Sequence, residues 1–184
     1  MKKLLIPFLI ISSLIFSFNM DAKSSKKVLV IYYSWSGNTR TMAQIIHNLV
    51  GGDIAEIIPE KAYPTDYRKC VDQASKEIKA KFKPEIKPIN INIADYDVIF
   101  VGTPNWWSTM APPVSTFLSS NNFTDKTVIP FQTNGGGGMA ECAIDMKTLC
   151  KGATVLNEKA IYGDSVASSK EEIAKWLNGI TVLK

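Results

Sequence analysis

Six consecutive residues combine uncharged hydrogen-bond donors with an aromatic ring and a glycine: Ser34, Trp35, Ser36, Gly37, Asn38 and Thr39. They follow an apolar run, residues 28–33, of the kind that forms a strand buried on both faces. After them the apolar residues recur at helical spacing. The first amides of a helix lack intrahelical acceptors, and the helix dipole adds partial positive charge there. This strand-to-helix turn is therefore predicted to hold a phosphate.

Two further loops carry unusual residues after apolar runs. The second loop comes after Gly102 and Thr103 and consists of five residues: Pro104, Asn105, Trp106, Trp107 and Ser108. The third comprises Thr133, Asn134, Gly135, Gly136, Gly137 and Gly138. Indole rings offer flat apolar surfaces, and glycines allow close approach to the backbone. Adjacent tryptophans point different ways, so one is expected to stack on a ligand and the other to pack inward. Taken singly, such tryptophans are more often core or partner-binding residues, and such glycines a mobile loop.

The elements around these loops alternate between strand and helix. Strands are predicted at residues 28–33, 53–59, 97–103, 127–132 and 153–161. Helices are predicted at residues 38–50, 65–82, 112–119, 139–150 and 169–178. This pattern predicts an α/β fold with three layers, in which helices cover both faces of a doubly wound, five-stranded parallel sheet. The three loops follow strands one, three and four, and ligands bind at the carboxyl ends of such strands. All three are therefore expected on one rim.

Composition narrows the functional classes. The chain has 184 residues, 46% of them hydrophobic, which is enough for one domain with a sizeable core. Its net charge of +4 is spread along the chain. The lysine-rich segment 76–87 contains two glutamates, so it indicates a solvated helix face, and no nucleic-acid binding is expected. Cys70, Cys142 and Cys150 are predicted to be free, because eight helical residues separate the last two by ~12 Å. No metal site is predicted.

The amino-terminal segment has the pattern of a signal peptide. Lys2 and Lys3 precede an apolar run from Leu4 to Phe18 that is short for a membrane span, and Ala22 is a plausible cleavage point. The prediction is a signal peptide at 1–22, export to the periplasm, and a domain at 23–184 without a membrane span. A retained amino-terminal anchor is the alternative.

Together the three loops resemble those of the flavodoxin family, over about residues 27–180. Residues 34–39 resemble its phosphate loop, residues 102–107 the loop that packs an aromatic ring on the flavin, and residues 133–138 its glycine-rich third loop. The closest likeness is to bacterial flavodoxin-like proteins with paired tryptophans in the second loop. The resemblance implies FMN, strand order 2-1-3-4-5, and electron transfer or quinone-type reduction. No catalytic side chain is required, because the flavin carries the redox chemistry.

Two alternatives to this interpretation stay open. One is an NAD(P)H-dependent quinone reductase, and the other is a flavin-free exported binding module that uses the tryptophan loop. The redox partner is not identified. Segments 34–39, 102–110 and 132–139 contain no Asp or Glu. A lining without carboxylates is therefore expected, and with it a less negative two-electron potential than that of classical flavodoxins.

Overall fold

A parallel β-sheet lies between two helical layers in the computed structural model, which describes residues 26–138 and 140–181. The strands are β1 (Val28–Tyr32), β2 (Asp53–Glu56), β3 (Val98–Trp106), β4 (Thr109–Met110), β5 (Thr127–Asn134), β6 (Thr154–Val155) and β7 (Lys159–Tyr162). The α-helices are α1 (Asn38–Val50), α2 (Tyr67–Lys79), α3 (Pro112–Ser119), α4 (Cys142–Leu149) and α5 (Lys170–Asn178). Two 3-10 helices span Ile93–Asp95 and Gly163–Ser168.

The sheet has the predicted doubly wound topology. Its parallel strands run in the order β2-β1-β3-β5, with β6 and β7 both paired to the outer side of β5. If β6 and β7 are counted as one interrupted strand, this is the predicted order 2-1-3-4-5. The fold class is therefore confirmed.

The strand count differs from the prediction for two reasons. Thr109 and Met110 form β4, an antiparallel addition to the end of β3. The fifth strand is interrupted, because Val128 pairs with Val155 and Phe131 pairs with Lys159, so the outer strand has one residue more between these pairs. Such an extra residue breaks a ladder as a bulge does.

Alternate strand residues face the two helical layers. Leu29, Ile31, Ile99 and Val101 belong to the core that includes residues of α2, α3 and α4. Val30 and Phe100 belong to the other core, where α1 and α5 supply Met42, Ile46, Ile173 and Leu177. Burial on both faces explains the continuous apolar runs of the sequence.

Several predicted boundaries are wrong. Helix α2 spans Tyr67–Lys79 rather than residues 65–82, and its cap is Asp66, whose carboxylate accepts a hydrogen bond from the Lys69 amide at 2.9 Å. β3 and β5 run to Trp106 and Asn134, so both extend into predicted loops. Helix α4 begins at Cys142, three residues later than predicted.

The predicted signal peptide, residues 1–22, lies outside the described residues. Within the described part of the chain, no helix combines the length and the apolar character needed to cross a membrane. All three cysteines are free, as predicted, and all three are buried.

Candidate functional site

The carboxyl ends of β1, β3 and β5 surround a cavity of about 430 Å³. This volume falls within the range of about 300–1,000 Å³ that is usual for small-molecule sites. Ten predicted residues line it: Trp35, Ser36, Asn38, Pro104, Asn105, Trp106, Trp107, Thr133, Asn134 and Gly135. The other predicted residues lie outside the lining: Ser34, Gly37, Thr39, Ser108, Gly136, Gly137 and Gly138. The structure therefore brings parts of all three loops to one cavity.

The first loop turns tightly into α1. Gly37 has a left-handed backbone, φ 96°, and its amide donates to Ser34 Oγ at 3.1 Å. The buried Thr39 hydroxyl bonds the Thr133 hydroxyl at 2.8 Å and so ties the loop to β5. Ser34, Gly37 and Thr39 thus shape the loop from behind. Ser36 and Asn38 face the cavity beside the start of α1, whose first amides have no intrahelical acceptors.

The cation nearest in sequence to this loop is engaged elsewhere. Arg40 forms a two-pronged ion pair with Glu56, with Nη2 2.6 Å from Oε1 and Nε 3.0 Å from Oε2. This ion pair raises the pKa of Arg40. Arg40 does not line the cavity. The first loop therefore presents uncharged donors.

The second loop is a β-hairpin. β3 and β4 pair Trp106 with Thr109, so Trp107 and Ser108 form a two-residue turn with φ values of 54° and 65°. Positive φ at both positions is typical of a type I′ turn, which favours Asn-Gly. A bulky tryptophan is uncommon in that conformation. The hairpin holds Trp107 at the cavity despite this backbone cost.

The two tryptophans have different surroundings. Trp106 packs edge-on against Tyr33 and Tyr63, with ring centroids 5.7 and 4.9 Å apart. Trp107 is 57% exposed, and its indole N–H donates to the Val71 carbonyl at 3.2 Å. Trp106 is thus continuous with the core, and Trp107 connects the hairpin to α2.

Asn134 organises the third loop. Its side-chain oxygen accepts hydrogen bonds from the amides of Gly136 and Gly138, at 2.9 and 3.3 Å. Gly135 is the loop glycine that lines the cavity. The remaining glycines shape the turn behind it.

Two groups of lining residues are missing from the sequence prediction. Helix α2 contributes Tyr67, Cys70, Val71 and Ala74. The end of β7 contributes Tyr162, and the 3-10 helix after it contributes Gly163 and Asp164. The second group follows the fifth strand, so the rule of carboxyl ends points to it. No sequence signal places α2 at the cavity, because its position depends on the path of the connection between β2 and α2, residues 57–66.

The lining is nearly neutral. Asp164 is the one acidic residue among the lining residues, none of which is Lys or Arg, so the expectation of a lining without carboxylates is wrong. The inference about the redox potential that rested on that expectation no longer follows. Asp164 accepts a hydrogen bond from the Tyr162 hydroxyl at 3.0 Å, which raises the pKa of Tyr162. Burial raises the pKa of Cys70 to about 11, so its thiol is protonated at neutral pH.

At the rim, the backbone at Gly163 packs closely against the side chain of Asn38. A Cβ on Gly163 would lie 2.3 Å from Asn38 Nδ2, so any larger residue there would push the Asn38 side chain from its place at the cavity. The cavity then combines uncharged donors at one end with two indoles and an open glycine backbone. This arrangement suits a ligand with one phosphate and a flat apolar ring.

Comparisons of the sequence and of the structure with known proteins point to the same family. The sequence model described as Flavodoxin matches residues 27–180. A flavoprotein from Lactobacillus acidophilus in complex with FMN is 30% identical, with a TM-score of 0.65 over 83% of this chain and 99% of its own. Two further structures are assigned as flavoproteins. The one from Bacteroides eggerthii is 30% identical, with a TM-score of 0.73 over 83% of this chain and 96% of its own. The one from Bacteroides uniformis is 29% identical, with a TM-score of 0.74 over 84% and 99%.

Proposed function

Since the chain belongs to the flavodoxin family, we propose that it binds FMN in the cavity at the sheet rim and works as an electron carrier or flavin-dependent oxidoreductase. One observation carries the proposal: the start of α1 and both indoles line the same cavity. The relative from Lactobacillus acidophilus, solved in complex with FMN, supports the choice of ligand.

The residues present fit FMN at both ends. The hydroxyl of Ser36, the amide of Asn38 and the free amides of the first turn of α1 would hold the phosphate. Trp106 and Trp107 would cover the ring and exclude water, and the Gly135 backbone, which lines the same cavity, would allow the ring to approach. When bound, FMN supplies the redox chemistry, and the protein binds, orients and tunes it.

The lining from α2 favours a second candidate function. Tyr67, Val71 and Ala74 extend the cavity beyond the three loops and give it an additional apolar wall. A flat substrate could enter along this wall, as an NAD(P)H-dependent quinone reductase requires. A flavin-free module that uses the exposed Trp107 as a contact surface is the third possibility.

Three measurements on one sample distinguish these functions. The purified chain is mixed with FMN, freed of excess ligand, and its visible spectrum is recorded. It is then reduced with dithionite without oxygen and offered cytochrome c as an acceptor. Finally, NADPH oxidation is followed with and without added benzoquinone.

Each result selects one function. Bound flavin that passes electrons to cytochrome c, with no NADPH oxidation, supports an electron carrier. NADPH oxidation that depends on quinone supports the reductase. A colourless chain that retains no FMN contradicts both and leaves the binding module.

We also propose export to the periplasm, which rests on the sequence of residues 1–22 alone. FMN would then bind after transport, because the segment has Lys-Lys rather than a twin arginine and so indicates export of the unfolded chain. Mass spectrometry of the protein from a periplasmic fraction tests this. A mature amino terminus at Lys23 is expected, and a full-length chain in the membrane fraction would indicate the anchored form.

A further inference from the structure

Aromatic rings lead from the cavity into the core. Trp106 lines the cavity, and its ring centroid lies 4.9 Å from that of Tyr63 at an interplanar angle of 73°. Tyr33 packs against both, at 5.7 Å from Trp106 and 6.1 Å from Tyr63. Rings in such contact exchange an electron readily, because no intervening saturated group separates their π-systems.

The far end of this path has a proton acceptor. The Tyr63 hydroxyl donates a short hydrogen bond to Glu77 Oε2, and Gln73 Nε2 donates to Glu77 Oε1 at 2.8 Å. Tyr63 is only 6% exposed, whereas Glu77 borders an open surface depression. Burial, and then the bond to Glu77, raise the pKa of Tyr63. The phenol is therefore neutral at ordinary pH, and it must release its proton when it loses an electron.

We propose that Trp106, Tyr63 and Glu77 form a route that supplies one electron to a one-electron oxidant in the cavity. The oxidant considered is a light-excited oxidised flavin, so the proposal rests on the proposed function. Trp106 gives one electron to the oxidant, and Tyr63 gives one electron to Trp106. As the Tyr63 O–H bond breaks, its proton passes to the Glu77 carboxylate. The products are a neutral tyrosyl radical, a protonated Glu77, a restored Trp106 and an oxidant reduced by one electron. The route removes oxidising equivalents from the cavity wall.

The chain contains a matched pair that lacks the connection to the cavity. The Tyr96 hydroxyl donates to Asp53 Oδ2 at 2.7 Å, and Tyr96 is as buried as Tyr63. Tyr96 does not line the cavity. It therefore has the phenol and the carboxylate without the indole contact.

The test is the radical formed under blue light in the FMN-loaded chain, frozen and measured by electron paramagnetic resonance. FMN binding is measured on the same samples, so a failure to bind FMN is detected separately. Four chains are compared: the unmodified protein, Tyr63→Phe, Glu77→Gln and Tyr96→Phe. If a chain binds no FMN, photogenerated tris(bipyridine)ruthenium(III) replaces FMN as the oxidant. Trp106→Phe is then added to the four chains that are compared.

The proposal expects a tyrosyl signal that Tyr63→Phe abolishes and Tyr96→Phe leaves unchanged. Glu77→Gln should lower its yield severalfold, because an amide does not take up the phenol proton. With the ruthenium oxidant, Trp106→Phe should lower the Tyr63 signal. A signal that survives Tyr63→Phe, or a yield unaffected by Glu77→Gln, overturns the route. The Tyr63–Glu77 bond would then serve only to tie the segment before α2 to that helix.

Discussion

At the scale of single residues, the ion pair between Arg40 and Glu56 decides how an anion is held at the first loop. Two donors of Arg40 bond Glu56, which neutralises the charge, and Arg40 does not line the cavity. Ser36 faces the cavity without a charge of its own. The phosphate is therefore expected to depend on neutral donors.

Two alanine variants test this neutral site. Ser36→Ala is expected to weaken FMN binding by about tenfold or more, because a hydrogen bond to a charged group contributes about 1.5–3 kcal/mol. Arg40→Ala is expected to change the FMN dissociation constant by less than about twofold, since an exposed ion pair contributes little. Fluorescence titration of FMN measures both. A larger loss in Arg40→Ala than in Ser36→Ala would mean that the cation, not the hydroxyl, holds the phosphate.

Alanine variants of two glycines in the third loop, Gly135 and Gly137, distinguish an effect on FMN binding from an effect on folding. A Cβ on Gly135 would have no protein atom within 4 Å, and a Cβ on Gly137 would meet only Asn105 Nδ2 at 3.7 Å. Both alanine variants should therefore fold with unchanged urea midpoints. Only Gly135 lines the cavity, so Gly135→Ala should weaken FMN binding severalfold while Gly137→Ala leaves it unchanged. Equal affinities in the two variants would show that the ring does not approach Gly135.

At the scale of elements, the sequence predicts best where periodicity follows burial. The apolar run of β1 is buried and α1 has the predicted bounds, but only Met42 and Ile46 of the large apolar residues of α1 are buried, while Leu49 is 40% exposed. The hairpin at Trp107 and Ser108 escapes prediction because its type I′ turn lacks the usual Asn-Gly. The α2 wall escapes prediction because Tyr67, which is 69% exposed beside the cavity, belongs to no motif that marks a binding residue. The contribution of α2 to the cavity depends on where the helix packs in the fold rather than on the local sequence pattern.

The end of α2 carries a residue that its backbone disfavours. Lys81 N donates to the Ile78 carbonyl and Phe82 N to the Glu77 carbonyl, which is the Schellman arrangement with Lys81 at the position usually held by glycine. Lys81 has φ 51°. Lys81→Gly is therefore expected to raise the free energy of unfolding by about 0.5–1 kcal/mol, measured by urea denaturation.

Lys79→Gly is the matched control for this variant. It removes the same charge from a residue inside α2 and should lower the free energy of unfolding by roughly 0.5–1 kcal/mol. Destabilisation by Lys81→Gly would show that the left-handed conformation is not the limiting feature at this helix end.

At the scale of the whole molecule, the two packed layers bury groups that ionise in the unfolded chain. Burial raises the pKa of the Cys150 thiol from 9.0 to about 12. Burial, with Asp53 beside it, raises the pKa of Tyr96 from 10.0 to about 12. Because these pKa values are higher in the folded chain, their contribution to stability is complete below about pH 9 and is lost as the pH rises to 12.

The free energy of unfolding should therefore fall between pH 9 and pH 12. One thiol that ionises only on unfolding contributes a slope of up to about 1.4 kcal/mol per pH unit. Urea denaturation across this range should give a shallower fall in Cys150→Ala than in the unmodified chain. Identical slopes would indicate that the thiol is accessible to base in the folded protein.

The central claim, that FMN occupies the rim cavity with its phosphate at the first loop, is tested most directly by fluorescence titration with FMN and with riboflavin. FMN should be quenched saturably at one molecule per chain, because indoles line the cavity. Riboflavin, which lacks the phosphate, should bind about tenfold more weakly or worse. Equal affinity for the two flavins, or no quenching of FMN, would contradict the assignment of the phosphate to Ser34–Thr39.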